Sequence, residues 1–162
     1  MNRHGRRTDR GFTLTELLLV TAVIGVLGSS AMSAFAESPD HRLDMIEREL
    51  SDAVDYARAL ARSDREAHGV VFDVATERVA VVDEAGAVVE DPLARRDYLL
   101  DFSGPQYPQG LDLTSADFGD TGAAIVVEPD GTAFSSGSVV LTFRGATRTL
   151  RVDLATATLR SS

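Results

Sequence analysis

Residues 10–20 read RGFTLTELLLV, and residues 17–28 continue the apolar run as LLLVTAVIGVLG. Between residues 12 and 36 the only charged side chain is that of Glu16. A helix over this segment would extend roughly 37 Å, which exceeds a hydrocarbon core of about 30 Å. The segment is therefore predicted to span a membrane.

The charge around this segment predicts its orientation. Residues 1–11 contain four arginines and one acid, whereas Glu37 follows the apolar run. The positive-inside rule places residues 1–11 in the cytoplasm and the chain after Glu37 outside. Without those eleven residues the chain keeps 12 of its 16 basic and 24 of its 25 acidic residues, a net charge of -12. So acidic a surface repels phosphate backbones, and nucleic-acid binding is not expected of the domain as a whole.

Three interpretations compete for the segment: an ordinary cleaved signal peptide, a permanent membrane anchor, and a short leader that is cut off before a helix that stays; Glu16 decides between them. Ala34-Phe35-Ala36 is an A-x-A site, which would let a signal peptidase release a periplasmic domain beginning at Glu37. A carboxylate near the start of an apolar helix costs free energy in lipid and has no use in a disposable signal peptide. Glu16 is therefore expected to have a partner.

The stretch from Arg10 to Val20 resembles the cleavage and methylation signature of type IV pilins and type II secretion pseudopilins. The resemblance implies that a prepilin peptidase cuts after Gly11 and that the new amino group of Phe12 is N-methylated. It also implies that Glu16 pairs with the N-terminal ammonium of a neighbouring subunit during filament assembly. That pairing would neutralise a charge in a medium of low dielectric constant.

An amphipathic helix is predicted over residues 40–68. Leu43, Ile46, Leu50, Val54, Ala57 and Ala61 recur at spacings of three and four and form one apolar stripe. Pro39 is expected to interrupt the preceding helix, and Gly69 to end this one. His41 and His68, near its two ends, have no second ligand at metal spacing and are expected to be solvated or capping residues.

Short β-branched runs separated by turn residues predict an antiparallel β domain after Gly69. Leu150, Val152 and Leu154 alternate with polar residues, as in a strand with one buried face. Residues 129–131 and 144–147 are predicted hairpin turns, and residues 90–122 a variable surface excursion with a strand at 97–102. The predicted strands are Val70–Val74, Arg78–Val82, Ala123–Glu128, Ser138–Phe143 and Arg148–Leu154.

The region from Ile125 to Arg160 resembles the C-terminal half of H-type pseudopilins and FimT-like minor pilins. FimT-like pilins use basic C-terminal surfaces in DNA uptake, so the resemblance implies a possible DNA contact at four arginines. The competing interpretation is that arginines on solvent-facing edge strands prevent aggregation and pair with nearby acids. These residues are Arg144, Arg148, Arg151 and Arg160.

The sequence contains no pattern of catalytic or metal-ligating residues. It has no cysteine, and no nucleophile elbow, phosphate loop or zinc-binding pair of histidines. Asp117-Phe118-Gly119-Asp120 is the best candidate for the calcium loop of the major pseudopilins, but two acids near a glycine are more typical of a turn. We therefore expect no enzyme activity, cofactor or metal.

These observations predict an α+β, pilin-like fold, in which a long N-terminal helix packs on an antiparallel β-sheet domain. The predicted segments are a leader at 1–11, a transmembrane and assembly helix at 12–36, an amphipathic helix at 37–69 and a β domain at 70–162. The implied protein is a minor pseudopilin or pilin-like subunit, anchored once in the bacterial inner membrane with its C-terminal domain in the periplasm. Its implied partners are a prepilin peptidase, other pilins or pseudopilins in a filament, and an inner-membrane assembly platform. The alternatives are a DNA-uptake pilin and a domain released after Ala36.

Overall fold

The computed structural model describes Thr15, residues 18–24 and residues 38–162. The chain divides into two units, Met1–Ser38 and Pro39–Ser162. In the first unit, residues 18–24 are helical. The second unit contains one long helix and two antiparallel sheets, so the predicted α+β class is confirmed for this part.

Helix α1 runs Pro39–Asp64 and buries the predicted stripe. A proline fits at its first position, because the first N–H groups of a helix have no intrahelical acceptor. Acids and arginines occupy the opposite face, and Ala53 joins the stripe. The buried residues are Leu43, Ile46, Leu50, Ala53, Val54, Ala57 and Ala61, each at most 4% exposed.

Helix α1 ends before the predicted position, and Gly69 does not end it. Arg65 follows the helix with φ 62°, and its backbone N–H donates to the carbonyl of Ala61. Arg65 thus takes the left-handed position that glycine usually fills. Gly69 lies inside the first strand, where an added Cβ would come within 3.0 Å of the Ile125 carbonyl oxygen. Its small size lets two strands approach closely.

The described strands form two four-stranded sheets and one small hairpin. In sheet I the order is β5-β2-β1-β7, and in sheet II it is β10-β9-β8-β6, while β3 pairs only with β4. All these pairings are antiparallel. The strands are β1 His68–Asp73, β2 Arg78–Val82, β3 Glu90–Asp91, β4 Arg96–Asp97, β5 Leu99–Asp101, β6 Leu111–Asp117, β7 Ala124–Val127, β8 Ser138–Phe143, β9 Ala146–Asp153 and β10 Thr158–Ser161.

The core lies between α1 and the inward faces of both sheets. Alternate residues of β1, β2 and β7 turn inward from sheet I, and alternate residues of β8 and β9 from sheet II. The helix contacts strands of both sheets, so its apolar stripe joins them into one core. Burial of apolar surface in this core is the main favourable term in folding this unit.

Residues 90–122 are more ordered and more buried than the prediction of a surface excursion implied. They include β6, whose Leu111 and Leu113 are buried, and Phe118, whose ring stacks on Phe72 at 5.4 Å. The loop before β6 lies against α1, where burial and the nearby Glu49 side chain raise the pKa of Tyr107. This region therefore forms an edge of sheet II and part of the core.

The turn at residues 129–131 forms but joins different elements from those expected. The N–H of Gly131 donates to the Glu128 carbonyl, and Val127 bridges Ala133. The chain then leaves sheet I, and β8 pairs with β6 and β9 in sheet II. The predicted turn at residue 144 does join β8 directly to β9.

Candidate assembly surfaces

The predicted processing and assembly residues Gly11, Phe12 and Glu16 lie outside the described residues. The neighbouring helical residues 18–24 present apolar side chains to the surroundings: Leu18 is 60% exposed, Leu19 68% and Ile24 63%. Within the helix the Thr21 hydroxyl donates to the Leu18 carbonyl, which satisfies a polar group that would otherwise face apolar surroundings. A run of exposed leucine, valine and isoleucine needs lipid or another protein surface to cover it.

The described helices do not include a membrane span. None of them, over the residues that the structure describes, is both long and apolar enough to cross a bilayer.

The four C-terminal arginines do not share one surface. Arg148 points to the helix side of β9, with Leu150 and Val152, and its side chain is 22% exposed. Its guanidinium lies 2.8 Å from an Asp44 carboxylate oxygen and 3.2 Å from one of Glu47. Arg148 therefore fastens sheet II to α1, and its donors are engaged within the protein.

Arg151 and Arg160 lie side by side on the outer face of sheet II, where they are register partners between β9 and β10. Arg160 lies 3.9 Å from an Asp153 carboxylate oxygen and remains largely exposed. Arg144 lies in the β8–β9 turn, with its guanidinium carbon 5.2 Å from the centre of the Phe143 ring. The structure thus brings two of the four arginines together and separates the other two.

Asp117 and Asp120, which the sequence offers as a calcium loop, lie at a turn. The Asp117 carboxylate accepts the backbone N–H of Gly119 at 3.0 Å, and residues 119–121 form a single 3₁₀ turn. In the described ranges, no group of three or more His, Asp or Glu side chains is arranged to hold a metal ion.

His68 differs from the prediction of a solvated or capping residue. It is 5% exposed, and its Nε2 lies 3.5 Å from an Asp64 carboxylate oxygen at the end of α1. His68 therefore packs at the junction between α1 and β1.

Sheet I has an apolar outer face that the sequence analysis did not identify as a surface feature. Val71, Val82 and Val126 point away from α1, and Val71 is 38% exposed. They line a hollow of about 310 Å³ that Asp83 and Glu84 border. The sequence signal for this face was the run of three adjacent apolar residues at 70–72, because a strand with one solvent-exposed face normally alternates apolar and polar residues.

The β3–β4 hairpin carries an apolar side chain at its tip. Leu93 is 94% exposed, and Arg95 and Arg96 follow it. The Asp91 carboxylate accepts the backbone N–H groups of Leu93 and Ala94 at 2.8 and 3.2 Å, and the Asp91 carbonyl accepts that of Arg95. These bonds give the tip a defined conformation.

Comparisons with known proteins found one N-terminal sequence motif and one similar fold. The prokaryotic N-terminal methylation motif matches residues 6–32. A crystal structure of the type IV minor pilin FimU from Pseudomonas aeruginosa is similar with a TM-score of 0.55 and 16% identity, over 76% of this chain and 90% of that chain. A second crystal form of FimU gives a TM-score of 0.50 and 16% identity, over 74% of this chain and 91% of that chain. No curated protein matches the sequence.

At this identity the likeness to FimU shows the fold, and the methylation motif independently indicates the N-terminal processing class. The motif lies at residues 6–32, outside the β-rich unit, so it is an observation independent of that unit's fold. The chain thus carries a prokaryotic N-terminal methylation motif at residues 6–32, and its fold is similar to that of a type IV minor pilin.

Proposed function

We propose that this chain is a minor pilin or pseudopilin subunit of a type IV pilus or type II secretion filament. A prepilin peptidase cuts between Gly11 and Phe12, and Phe12 is then N-methylated. The observation that carries the proposal is the methylation motif over residues 6–32, which contains both of these residues and Glu16. The exposed apolar side chains of residues 18–24 support it, since lipid before assembly and other subunits afterwards would cover them.

In this proposal Glu16 makes assembly specific. A carboxylate in an apolar helix is stabilised when an ammonium group lies against it, and the processed chain supplies one at Phe12 of the next subunit. The inner membrane holds the unassembled subunit, and the β-rich unit lies in the periplasm. An inner-membrane platform and other pilins complete the set of partners.

The first test is the N-terminus of the membrane-extracted full chain, measured by intact mass and peptide sequencing with and without a co-expressed prepilin peptidase. We expect a peptidase-dependent product that begins with N-methylated Phe12. Gly11→Val should block the cut, because a branched side chain hinders approach of the peptidase to the backbone, whereas Gly5→Val is the matched control. A peptidase-independent product beginning at Glu37 would instead show release after Ala36 and overturn the proposal.

A second test isolates the role of Glu16. Glu16→Gln keeps the shape of the side chain and removes its charge, whereas Glu16→Asp keeps the charge. We expect both variants to be processed, but only the aspartate variant to enter the sheared filament fraction. Equal recovery of the glutamine variant would show that the carboxylate does not direct assembly.

A further inference from the structure

Two surfaces of the β-rich unit remain uncovered and have complementary chemistry. The first, the valine face, is the outer face of sheet I around Val71, Val82 and Val126. It is concave, with a hollow of about 310 Å³, and Asp83 and Glu84 lie at its border. An apolar hollow beside carboxylates fits an apolar side chain that is flanked by cations.

The second surface, the Leu93 tip, consists of residues 92–96 on the β3–β4 hairpin. It presents the most exposed large apolar side chain of the described residues, Leu93 at 94%. Arg95 is exposed beside it and forms no ion pair with any described residue, whereas Arg96 lines a separate hollow with the acids Glu49, Asp52, Asp91 and Asp97. The hydrogen bonds from Asp91 pre-organise this tip, which lowers the entropy cost of docking it.

We propose that the Leu93 tip of one copy docks on the valine face of a second copy of this chain. Leu93 enters the hollow beside Val71 and Val82, and Arg95 lies against Glu84. The hollow is large enough for one leucine side chain with its neighbours, and the cation of Arg95 is opposite in charge to Asp83 and Glu84 at the border of the hollow. One chain therefore carries both halves of the contact.

This inference rests on the proposed function, because the contact is small. A hairpin tip covers much less than the roughly 1,000 Å² that a stable interface between free proteins needs. Subunits whose N-terminal helices are already packed together have a high effective concentration, and a weak contact then becomes populated. The contact would thus set how neighbouring periplasmic units lie in the filament.

Site-directed crosslinking tests this arrangement, since the chain contains no cysteine of its own. Ala94→Cys places a thiol beside Leu93, and Ala85→Cys places one at the border of the valine face, so both variants keep the contact residues. The two variants carry different tags and are co-expressed as full chains with the peptidase and the assembly proteins. We expect a short bismaleimide to give a mixed dimer several-fold more abundant than the control pair of Ala94→Cys with Thr147→Cys, which is exposed on sheet II.

Three further substitutions test the chemistry. Leu93→Ser in the Ala94→Cys copy should abolish the mixed dimer without affecting folding, because Leu93 makes almost no contact within its own chain. Arg95→Glu should reduce crosslinking several-fold, and Glu84→Arg in the other copy should restore it. Circular dichroism of each variant checks that the fold is retained.

The N-terminus of the same samples separates the two proposals. Methylated Phe12 with no excess of the mixed dimer over the control would overturn the docking contact and leave the proposed function standing. Absence of both processing and crosslinking would overturn both. Processing, a specific mixed dimer and restoration by the charge exchange would together support the contact.

Discussion

Arg148 shows how one side chain can hold two elements together. It lies among the inward residues of β9, yet its guanidinium reaches the acidic side of α1 at Asp44 and Glu47. Its long aliphatic stem packs beside apolar neighbours while the charged end stays partly exposed. The arginine thus fills a position on the inner face where a shorter polar residue would leave the acids unpaired.

Replacing Arg148 with methionine should destabilise the fold by about 1 kcal/mol, because Asp44 and Glu47 would lose their shared partner while most of the packing remains. Chemical denaturation of the full chain in detergent, followed by circular dichroism, measures this change. Arg151→Met is the matched control on the outer face and should change stability by at most about 0.5 kcal/mol. Equal effects of the two substitutions would contradict the anchoring role of Arg148.

The Arg144-Gly145 turn depends on backbone conformation rather than packing. Both residues have positive φ, 49° and 85°, as expected in a two-residue hairpin loop with a type I′ turn. A Cβ added at Gly145 meets no atom within 4 Å, so any cost of alanine there is conformational. Gly145→Ala should therefore lower the free energy of unfolding by about 1 kcal/mol, and Gly145→Asn by less, since asparagine tolerates this region. Denaturation curves of the two variants test the difference, and an equal loss would argue against backbone strain.

At the scale of elements, the end of α1 offers a stabilising substitution. Arg65 adopts φ 62° and is exposed, so its side chain gains little from packing to offset the strain. Arg65→Gly should raise the free energy of unfolding by up to about 1 kcal/mol, because glycine adopts this conformation at no steric cost. Thermal unfolding of the full chain measures the shift.

Gly69→Ala, in the neighbouring strand β1, is expected to have the opposite effect on stability. Its Cβ would lie 3.0 Å from the Ile125 carbonyl oxygen, so the paired strands would have to separate slightly. We expect this substitution to destabilise the fold. A destabilising Arg65→Gly together with a neutral Gly69→Ala would instead support the original prediction that Gly69 ends the helix.

Several elements were predictable because their patterns depend on local chemistry. The stripe of α1 repeats at helical spacing, and β2 and β8 begin and end at the predicted residues. The inward position of Arg148 was not predicted: the sequence analysis grouped it with solvent-facing arginines, although it shares a face of β9 with Leu150 and Val152. Leu154 lies outside β9 and is 47% exposed, because the chain turns after Asp153.

The missed elements have weak local signals. Strand β6 has inward leucines only at Leu111 and Leu113, and a change of register between Leu113 and Ser115 breaks its alternation. Strand β10 is a short edge strand with one buried residue, Leu159. Ala157, just before β10, has φ 46°, a conformation that would have been predicted for glycine. Division of the strands into two sheets depends on long-range pairing, which alternation along one strand does not encode.

The candidate functional residues also differ in whether the sequence alone could identify them. Gly11, Phe12 and Glu16 were identified from a contiguous motif, and they stay predictions because they lie outside the described residues. The valine face combines alternate residues from three strands, so it became visible only once β1, β2 and β7 were placed side by side. A contiguous motif is readable in sequence, whereas a surface assembled from distant strands requires the fold.

At the scale of the whole molecule, several turns of the β-rich unit are stabilised by hydrogen bonds to ionised aspartate side chains. A hydrogen bond from the Ser103 hydroxyl, at 2.5 Å, and the Arg78 guanidinium lower the pKa of Asp101 below its usual value of 3.8. Hydrogen bonds from neighbouring residues likewise lower the pKa values of Asp73, Asp130 and Asp153. The shared feature is a carboxylate that caps a turn between elements.

These shifts predict the direction of the pH dependence. A carboxyl group whose pKa is lower in the folded state contributes stability at pH values above its unfolded pKa and loses that contribution as the pH falls through its folded pKa. The thermal midpoint of the full chain should therefore fall as the pH drops below about 4. Ser103→Ala removes the strongest donor to Asp101, so it should lower the midpoint at pH 7 and weaken the dependence between pH 5 and 2. Asp101→Asn should act in the same direction, and parallel pH profiles for both variants and the unsubstituted chain would contradict a stabilising role for this charged turn.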